Sequence, residues 1–573
     1  MSAAVVIRSV EPEGSRQASR MSAERIRLRT LLTLGCVMAC FVAIGGQLVR
    51  LAMRAGPDIK ASLAEPLGRS WSRPDIVDRN GRLLATDIAV PSLYADPLLV
   101  LDLDEAVEKL ASVLTGLDTA ELRRSLADKS KRFVWIARGL SPRQAQRVHE
   151  LGIPGLAFRS ELKRAYPQGS LAGHLIGAVN VDNKGLAGIE RTLDETGKVE
   201  PVQGTMRSPK PPLRLSLDIG VQHALAEELK RAVSHYAATA AAGLVLDARS
   251  GEIVGAVSLP ESDPARPADW LDTTRRDRLS NGVYELGSIF KTITVAMALE
   301  TGAATLDRLY DVRQGIAAGP YTIKDPYPQG RPLSVREIFL HSSNVGAGML
   351  ALEAGAERQR AFLGRLGLLE PMHTEAGPVA PPLLPKTWGK AETVTIGYGH
   401  GLSVAPLQFA VATAALLNGG EKITATVLAG ERERVPQQRV VSSATSAKLR
   451  EIMRLNVTHA AGTGRRAEVD GYRIGGKTGT AEMPGRGGYQ EKAVISSFLG
   501  AFPMDAPRYV TLVLLFEPHS GEGAGDRITA GVNAAPTTAR IVERIAPVLG
   551  VLPRLVETHL GDGGTFDALR QAQ

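Results

Sequence analysis

The sequence predicts an α+β protein on a single N-terminal transmembrane helix, with an irregular α+β unit after the helix and then a larger antiparallel sheet packed by helices. Three observations predict it. An uncharged run of 20 residues lies near the N-terminus, a Pro- and Gly-rich stretch interrupts the chain near residue 210, and strand-like runs at both ends of the remainder enclose a mostly helical middle. A chain of 573 residues calls for several packed domains, at roughly 150 residues each. With 44% hydrophobic and 22% charged residues, it is neither collagenous nor broadly disordered. The net charge of +8 is diffuse, with no basic stripe interleaved with aromatics, which argues against nucleic-acid binding. Cys36 and Cys40 are the only cysteines, so a disulfide framework and a multi-cysteine zinc site are excluded.

Residues 30–49, TLLTLGCVMACFVAIGGQLV, carry no formal charge, and 20 residues of helix span about 30 Å, the thickness of a bilayer's hydrocarbon core. Residues 1–29 hold six arginines against three glutamates. The positive-inside rule therefore keeps them cytoplasmic and exports the rest. A cleaved signal peptide fits less well, because the run is long and Arg50 and Arg54 follow it without an evident small-residue cleavage site. The first exported unit is expected over 55–210. It mixes a strand pair turning at Asn80-Gly81 with helical runs such as DEAVEKLASVL and SPRQAQRVHEL. The stretch GKVEPVQGTMRSPKPPL, 197–213, reads as a connection. The second unit is expected over 211–550: a short strand at Leu213 to Asp218, a helix through VQHALAEELKRAVSHY, the strand pair GLVLDA and EIVGAVS, and late strands in YRIGGKTGTAE, AVISSFLGAFP and YVTLVLLF. Residues 551–573 form a peripheral tail.

Three short patterns in the second unit could carry chemistry: Ser288-Ile289-Phe290-Lys291, Ser342-Ser343-Asn344 and Lys477-Thr478-Gly479-Thr480. Each alone is weak; Ser160-Glu161-Leu162-Lys163 also fits S-x-x-K and has no companions. Ser288 opens a helical run to Glu300, where a serine ordinarily caps the helix. Lys291, three residues on, shares its face. A buried, neutral lysine there could take the serine's proton, and the helix start would favour the developing oxyanion. Ser342 could relay a proton to a leaving amine, and Asn344 could hold both a substrate amide and the lysine, although HSSNVG also reads as a helix cap. Gly475-Gly476 before the third pattern suits close backbone approach in a strand. Lys477 with the Thr478 and Thr480 hydroxyls would then bind a carboxylate, the Thr480 N–H serving as an oxyanion donor. A surface turn with a solvated lysine is the bland alternative. His174 and His400 read as structural.

The combination of S-x-x-K, S-D-N and K-T-G is an established signature of penicillin-binding proteins and class A β-lactamases. Around it, WSRPDIVDRNGRLLA (71–85), RAYPQGSLAGHLIG (164–177), GLAGIERTLD (185–194), LSLDIGVQ (215–222), YELGSIFK (284–291) and GGKTGTAE (475–482) resemble the successive motifs of class B penicillin-binding proteins. HSSNVG is similar to the division-specific, FtsI-type branch; the elongation-specific branch usually has aspartate where Asn344 stands. Leu286 replaces a proline frequent in the family, a change that only loosens the approach to the helix. The resemblance implies the penicillin-recognising serine transpeptidase fold behind a non-catalytic pedestal, whose motif residues Arg73, Arg164 and Glu190 hold the parts in register; a solvated-surface role is the alternative for these charges. It implies a peptidoglycan D,D-transpeptidase in which Ser288 is the nucleophile, Lys291 the base, Ser342 and Asn344 relay and positioning groups, and Lys477 an electrostatic partner. Thr478, Gly479 and Thr480 bind substrate. No metal or organic cofactor is expected. The implied partners are peptidoglycan stem peptides, β-lactams, the inner membrane through one helix, a polytopic glycosyltransferase and other division proteins. Competing readings are an elongation-specific transpeptidase, a serine β-lactamase, which would need neither anchor nor pedestal, and a non-catalytic scaffold or β-lactam sensor.

Overall fold

The computed structural model describes residues 31–47, 50, 69–203, 205, 210–430, 438–485, 488–519 and 529–554. The chain forms two units, Met1–Arg69 and Ser70–Gln573. In the first, residues 31–47 are helical and leave Leu31, Leu32, Phe41 and Val42 exposed. No helix among the described residues is long and apolar enough to cross a membrane, so the expected span over 30–49 is not shown. Its ends, residues 30, 48 and 49, lie outside the described residues, as do the N-terminal segment 1–29 and the tail from 555 to 573.

The second unit opens with the pedestal. The hairpin expected at Asn80-Gly81 is present: Gly81 adopts φ +84° and donates its N–H to the Asp78 carbonyl, while Asp78 Oδ1 accepts the N–H groups of Asn80 and Arg82 at 2.8 Å. The turn leads into β1 (Leu83–Ala95). Helices α1 (Leu103–Val113) and α2 (Thr119–Ala127) follow, each started by an aspartate, Asp102 or Asp118, whose side chain accepts backbone N–H bonds. β2 (Val134–Ala137) and β3 (Leu156–Ala165) both pair antiparallel with β1. Between them, α3 (Pro142–Glu150) begins with a full capping box at Ser141 and Gln144. Leu93, Leu110, Leu126 and Val148 close the core of this part.

The pedestal charges are not solvated. Arg73 contacts Glu190 Oε2 at 2.9 Å and Asp194 at 2.7 Å. Arg164 contacts Glu190 Oε1 at 2.7 Å and Asp87 at 3.2 Å, and Arg73 N–H donates to Asp87 Oδ2 at 2.7 Å. The side chains of Arg73, Arg164, Glu190 and Asp87 are all 0% exposed, which overturns the surface reading. Glu190 and Asp194 both project from α4 (Gly188–Glu195), so one helical turn supplies two of the three carboxylates.

α5 (Ile219–His235) leads into the main sheet, made of β4 (Ala240–Asp247), β5 (Ile253–Leu259), β6 (Gly475–Gly485), β7 (Gly488–Phe502) and β8 (Tyr509–Phe516). Its order is β6-β7-β8-β4-β5, antiparallel throughout, so strands from the two ends of the unit meet at β8 and β4, as expected. The expected strand at Leu213 to Asp218 is reduced to Leu213–Arg214, which pairs parallel with Ile76–Val77. Both sheet faces are buried, and YVTLVLLF shows why: Val510, Leu512 and Leu514 enter one apolar cluster, while Tyr509, Val513 and Leu515 enter the other. The first face is covered by the helical middle, including α6 (Lys291–Glu300), α7 (Val335–Leu340), α8 (Asn344–Ala354), α9 (Lys390–Tyr398) and α10 (Pro406–Leu417). α5 and α12 cover the second, with α11 (Ser443–Thr458) beside β6 and α12 being Ala534–Val548. Pedestal residues Ile76, Leu84, Ala172 and Ile189 share one apolar cluster with Leu217, Leu244 and Leu286. The two parts therefore have a common core across the linker.

Glu190 bridges two wholly buried guanidinium groups, so Glu190→Ala leaves both underpaired. Urea unfolding should show a loss of about 3–5 kcal/mol in a single transition; a change below about 1 kcal/mol would mean the network contributes little to stability.

Candidate active site

Ser288 does not begin an α-helix. Gly287–Phe290 is a 3-10 turn, and α6 starts at Lys291. The Ser288 hydroxyl makes no capping bond there; its partner is Lys291 Nζ at 2.9 Å. The turn sits against edge strand β6 so closely that only glycine fits at two points. Gly287 has φ +57°, and a Cβ on it would lie 2.8 Å from the Thr480 carbonyl oxygen. A Cβ on Gly479 would lie 2.6 Å from Ser497 Oγ and 2.9 Å from the Leu286 carbonyl oxygen. Gly479 is thus required by packing between strand and turn, whatever else it does.

The second pattern is set by a helix end. α7 stops in a Schellman arrangement: Ser343 N–H donates to the Ile338 carbonyl at 3.0 Å and Ser342 N–H to the Phe339 carbonyl at 3.3 Å. This puts Ser342 in the left-handed region, φ +58°, where glycine is usual. A non-glycine residue there costs about 1–3 kcal/mol and is characteristic of functional sites. Ser343 caps the next helix by accepting the Gly346 N–H at 2.9 Å, and Asn344 is its first residue. Asp325, which the sequence reading did not single out, fastens this junction. Its Oδ1 accepts the N–H groups of Asn344 at 2.6 Å and Val345 at 3.0 Å, and its Oδ2 accepts the Ser343 hydroxyl at 2.6 Å. Nothing in KDPYPQG, a loop rich in turn residues, signals that role.

Lys291 is 0% exposed. Its Nζ lies 2.9 Å from Ser288 Oγ, 2.6 Å from the Ser342 carbonyl oxygen, 3.1 Å from Ser342 Oγ and 2.7 Å from Asn344 Oδ1. Both carbonyl-type oxygens accept only. A neutral amine satisfies them with its two hydrogens and keeps its lone pair for a hydroxyl. Burial, then the positive charge of Lys477, hold the Lys291 pKa well below the ordinary lysine value, and Asp325 partly opposes them. Lys477, also 0% exposed, contacts Ser342 Oγ at 3.0 Å and the Thr478 carbonyl at 3.1 Å, and lies 5.7 Å from the centre of the Phe339 ring. Burial lowers its pKa to about 7. Ser342 Oγ therefore touches both amines, and the surface-turn alternative for Lys477 is excluded. Thr478 is buried and bonds Thr463 Oγ1 at 2.7 Å, while Thr480 is exposed on the same strand. The structure brings Ser288, Lys291, Ser342, Asn344 and Lys477 into one hydrogen-bonded cluster, with Thr478, Gly479 and Thr480 on the strand beside it.

The isolated S-x-x-K at Ser160 lies on β3, in the pedestal. His174 Nε2 lies 2.6 Å from the Arg275 carbonyl oxygen. His400 has a carboxylate partner that sequence did not reveal: its Nδ1 is 3.2 Å from Glu285 Oε2, and Glu285 Oε1 accepts the Gly401 N–H at 2.7 Å.

Residues 241–542 match the model of the penicillin binding protein transpeptidase domain, and residues 70–198 that of the penicillin-binding protein dimerisation domain. The chain belongs to the penicillin-binding protein transpeptidase family. It is a class B, FtsI-type penicillin-binding protein. The chain is 38% identical over 549 residues to the probable peptidoglycan D,D-transpeptidase FtsI of Caulobacter vibrioides, covering 94% of this chain and 91% of the relative. It is 32% identical to the probable peptidoglycan D,D-transpeptidase PenA of Neisseria gonorrhoeae, covering 91% and 92%. A crystal structure of penicillin-binding protein 3 from Mycobacterium tuberculosis complexed with aztreonam shares the fold, with a TM-score of 0.64, 24% identity, and coverage of 84% of this chain and 97% of that one.

Asp325 both fastens Asn344 and raises the Lys291 pKa, so Asp325→Asn in this penicillin-binding protein should have two separable effects. The maximal rate of acylation by a β-lactam should fall about tenfold from misplacement of the amide. The acid limb of its pH profile should move to lower pH, because Lys291 stays neutral further into acid. Stopped-flow acylation across pH checks both; an unmoved limb rules out the electrostatic part.

Proposed function

We propose that this chain is a peptidoglycan D,D-transpeptidase that cross-links stem peptides through a serine acyl-enzyme during septal cell-wall synthesis. The single observation that carries this is the wholly buried Lys291 amine 2.9 Å from Ser288 Oγ. Ser288 Oγ attacks the carbonyl carbon between the two terminal D-Ala residues of a donor stem, and its proton passes to the Lys291 lone pair. As the C–N bond breaks, Ser342, within 3.1 Å of both amines, gives its hydroxyl proton to the leaving D-Ala nitrogen and takes the proton held by Lys291 in its place, so the lysine is neutral again in the acyl-enzyme. An amine of a neighbouring stem then attacks the ester, loses its proton along the same path, and restores Ser288. Lys477 lends positive charge, and Thr478 and Thr480 receive the terminal carboxylate.

The open edge of β6 supports the reading, since it pairs with β7 alone among the described strands and leaves a ladder side for an extended peptide. β-Lactams acylate the same serine. No cofactor is needed, because nucleophile, base and charge are all side chains.

The domain reading keeps a pedestal over 55–210, a transpeptidase domain over 211–550, a cytoplasmic segment over 1–29 and a tail over 551–573. The uncharged, exposed helix at 31–47 supports an inner-membrane anchor over 30–49, with the catalytic part periplasmic at the septum. A polytopic glycosyltransferase supplying the glycan strands and other division proteins are its expected partners.

Incubation of the chain with benzylpenicillin, followed by intact-mass measurement and peptide mapping, should give one stoichiometric adduct on Ser288 and none on Ser288→Ala. Sustained hydrolysis would point to a lactamase, and no adduct would remove the enzyme reading.

A further inference from the structure

Thr478 is bonded to a residue outside the three patterns. Thr463 Oγ1 lies 2.7 Å from Thr478 Oγ1. Thr463 is itself held by Asn456, a 0% exposed residue on α11. The Asn456 amide orientation is set by its Nδ2, which donates to the Gly476 carbonyl at 2.9 Å. Its Oδ1 therefore faces Thr463 and accepts the Thr463 N–H at 3.1 Å and the Thr463 hydroxyl at 3.3 Å.

Hydrogen counting along this chain leaves two states. Only one hydrogen can lie between the two threonine oxygens. If Thr463 donates to Asn456, Thr478 must donate to Thr463, and Thr478 then has only lone pairs for a bound carboxylate, which they repel. If Thr463 donates to Thr478 instead, the Thr478 hydrogen is free for that carboxylate. Asn456 Oδ1 keeps the Thr463 N–H in either state, so no buried acceptor is stranded, and the bond given up is the long one at 3.3 Å. The 2.7 Å bond survives with its direction reversed.

We propose that Asn456 and Thr463 form a hydroxyl switch that turns the Thr478 hydrogen toward the carboxylate of the acyl donor, making Thr463 a positioning residue for that anion. The inference rests on the acyl-donor reading of the site. An anion drives the reversal, because the new hydrogen bond to it is charge-assisted and is strengthened by the donor behind it. A neutral ligand gains no such bond and leaves the switch in its resting direction.

The test compares acylation of wild type, Thr463→Val and Thr463→Ser by benzylpenicillin and by its neutral methyl ester, followed by intact mass. Thr463→Val removes the hydrogen donated to Thr478 from behind and leaves the Thr478 hydroxyl free to rotate, so it should lower the acylation efficiency with benzylpenicillin about tenfold, mainly through pre-acylation affinity. With the ester it should differ from wild type less than about twofold, and Thr463→Ser should behave as wild type with both. Equal losses with acid and ester, or no loss with the acid, would overturn the switch. Thermal unfolding of Thr463→Val monitors folding, and because the acid and ester are compared on the same variant, a folding defect lowers both alike and counts against the proposal. Failure of wild type to form any Ser288 adduct would instead overturn the acyl-donor reading beneath it.

Discussion

The structure turns on keeping one amine dry, which favours its uncharged form. Lys291 is fully buried, and the four oxygens around its nitrogen belong to two hydroxyls, a backbone carbonyl and a side-chain amide, none to a carboxylate. A carboxylate at that distance would stabilise the ammonium and raise the pKa of the amine. Among the described residues, the acid that reaches it electrostatically, Asp325, spends its oxygens on backbone N–H groups and a hydroxyl. The second buried amine, Lys477, works in the same sense by penalising a proton on Lys291. Neutral oxygens near the base and charge at one remove satisfy the hydrogen bonds without fixing the proton.

That arrangement demands close approach from three directions, and the fold supplies it through small or strained backbone. Gly287 and Gly479 let the nucleophile turn and β6 touch where side chains would collide. Ser342 accepts a left-handed conformation because the Schellman turn that ends α7 must present both a carbonyl and a hydroxyl to Lys291. A glycine would relieve the backbone and remove the hydroxyl, so strain here is coupled to chemistry.

The pedestal shows a different economy. Its arginines and carboxylates are buried among one another, and its apolar residues share a cluster with the catalytic half. Buried ion pairs of this kind add little net stability over apolar packing, but they penalise every geometry in which one partner is displaced. The network therefore specifies the arrangement of the segment at Arg73, β1, β3 and α4 more than it strengthens it.

Much of the site was readable in one dimension, because S-x-x-K places serine and lysine on one turn by chain geometry alone, and strands such as YVTLVLLF, apolar but for Thr511, declare burial on both faces. Asp325, Asn456, Thr463 and the Glu285–His400 pair were not readable. Each is a common polar residue in unremarkable surroundings, made significant by partners such as Thr478, 15 residues from Thr463, or His400, 115 from Glu285. The 3-10 form of the nucleophile turn was also hidden, because periodicity cannot separate it from a first turn of α-helix. Sequence by itself determined which elements form and which side chains lie within a turn of one another, since those follow from local backbone geometry and apolar period. Only the tertiary structure decided that both lysines are buried and which oxygens face them, because desolvation and long-range hydrogen bonds exist only once the chain has closed around them.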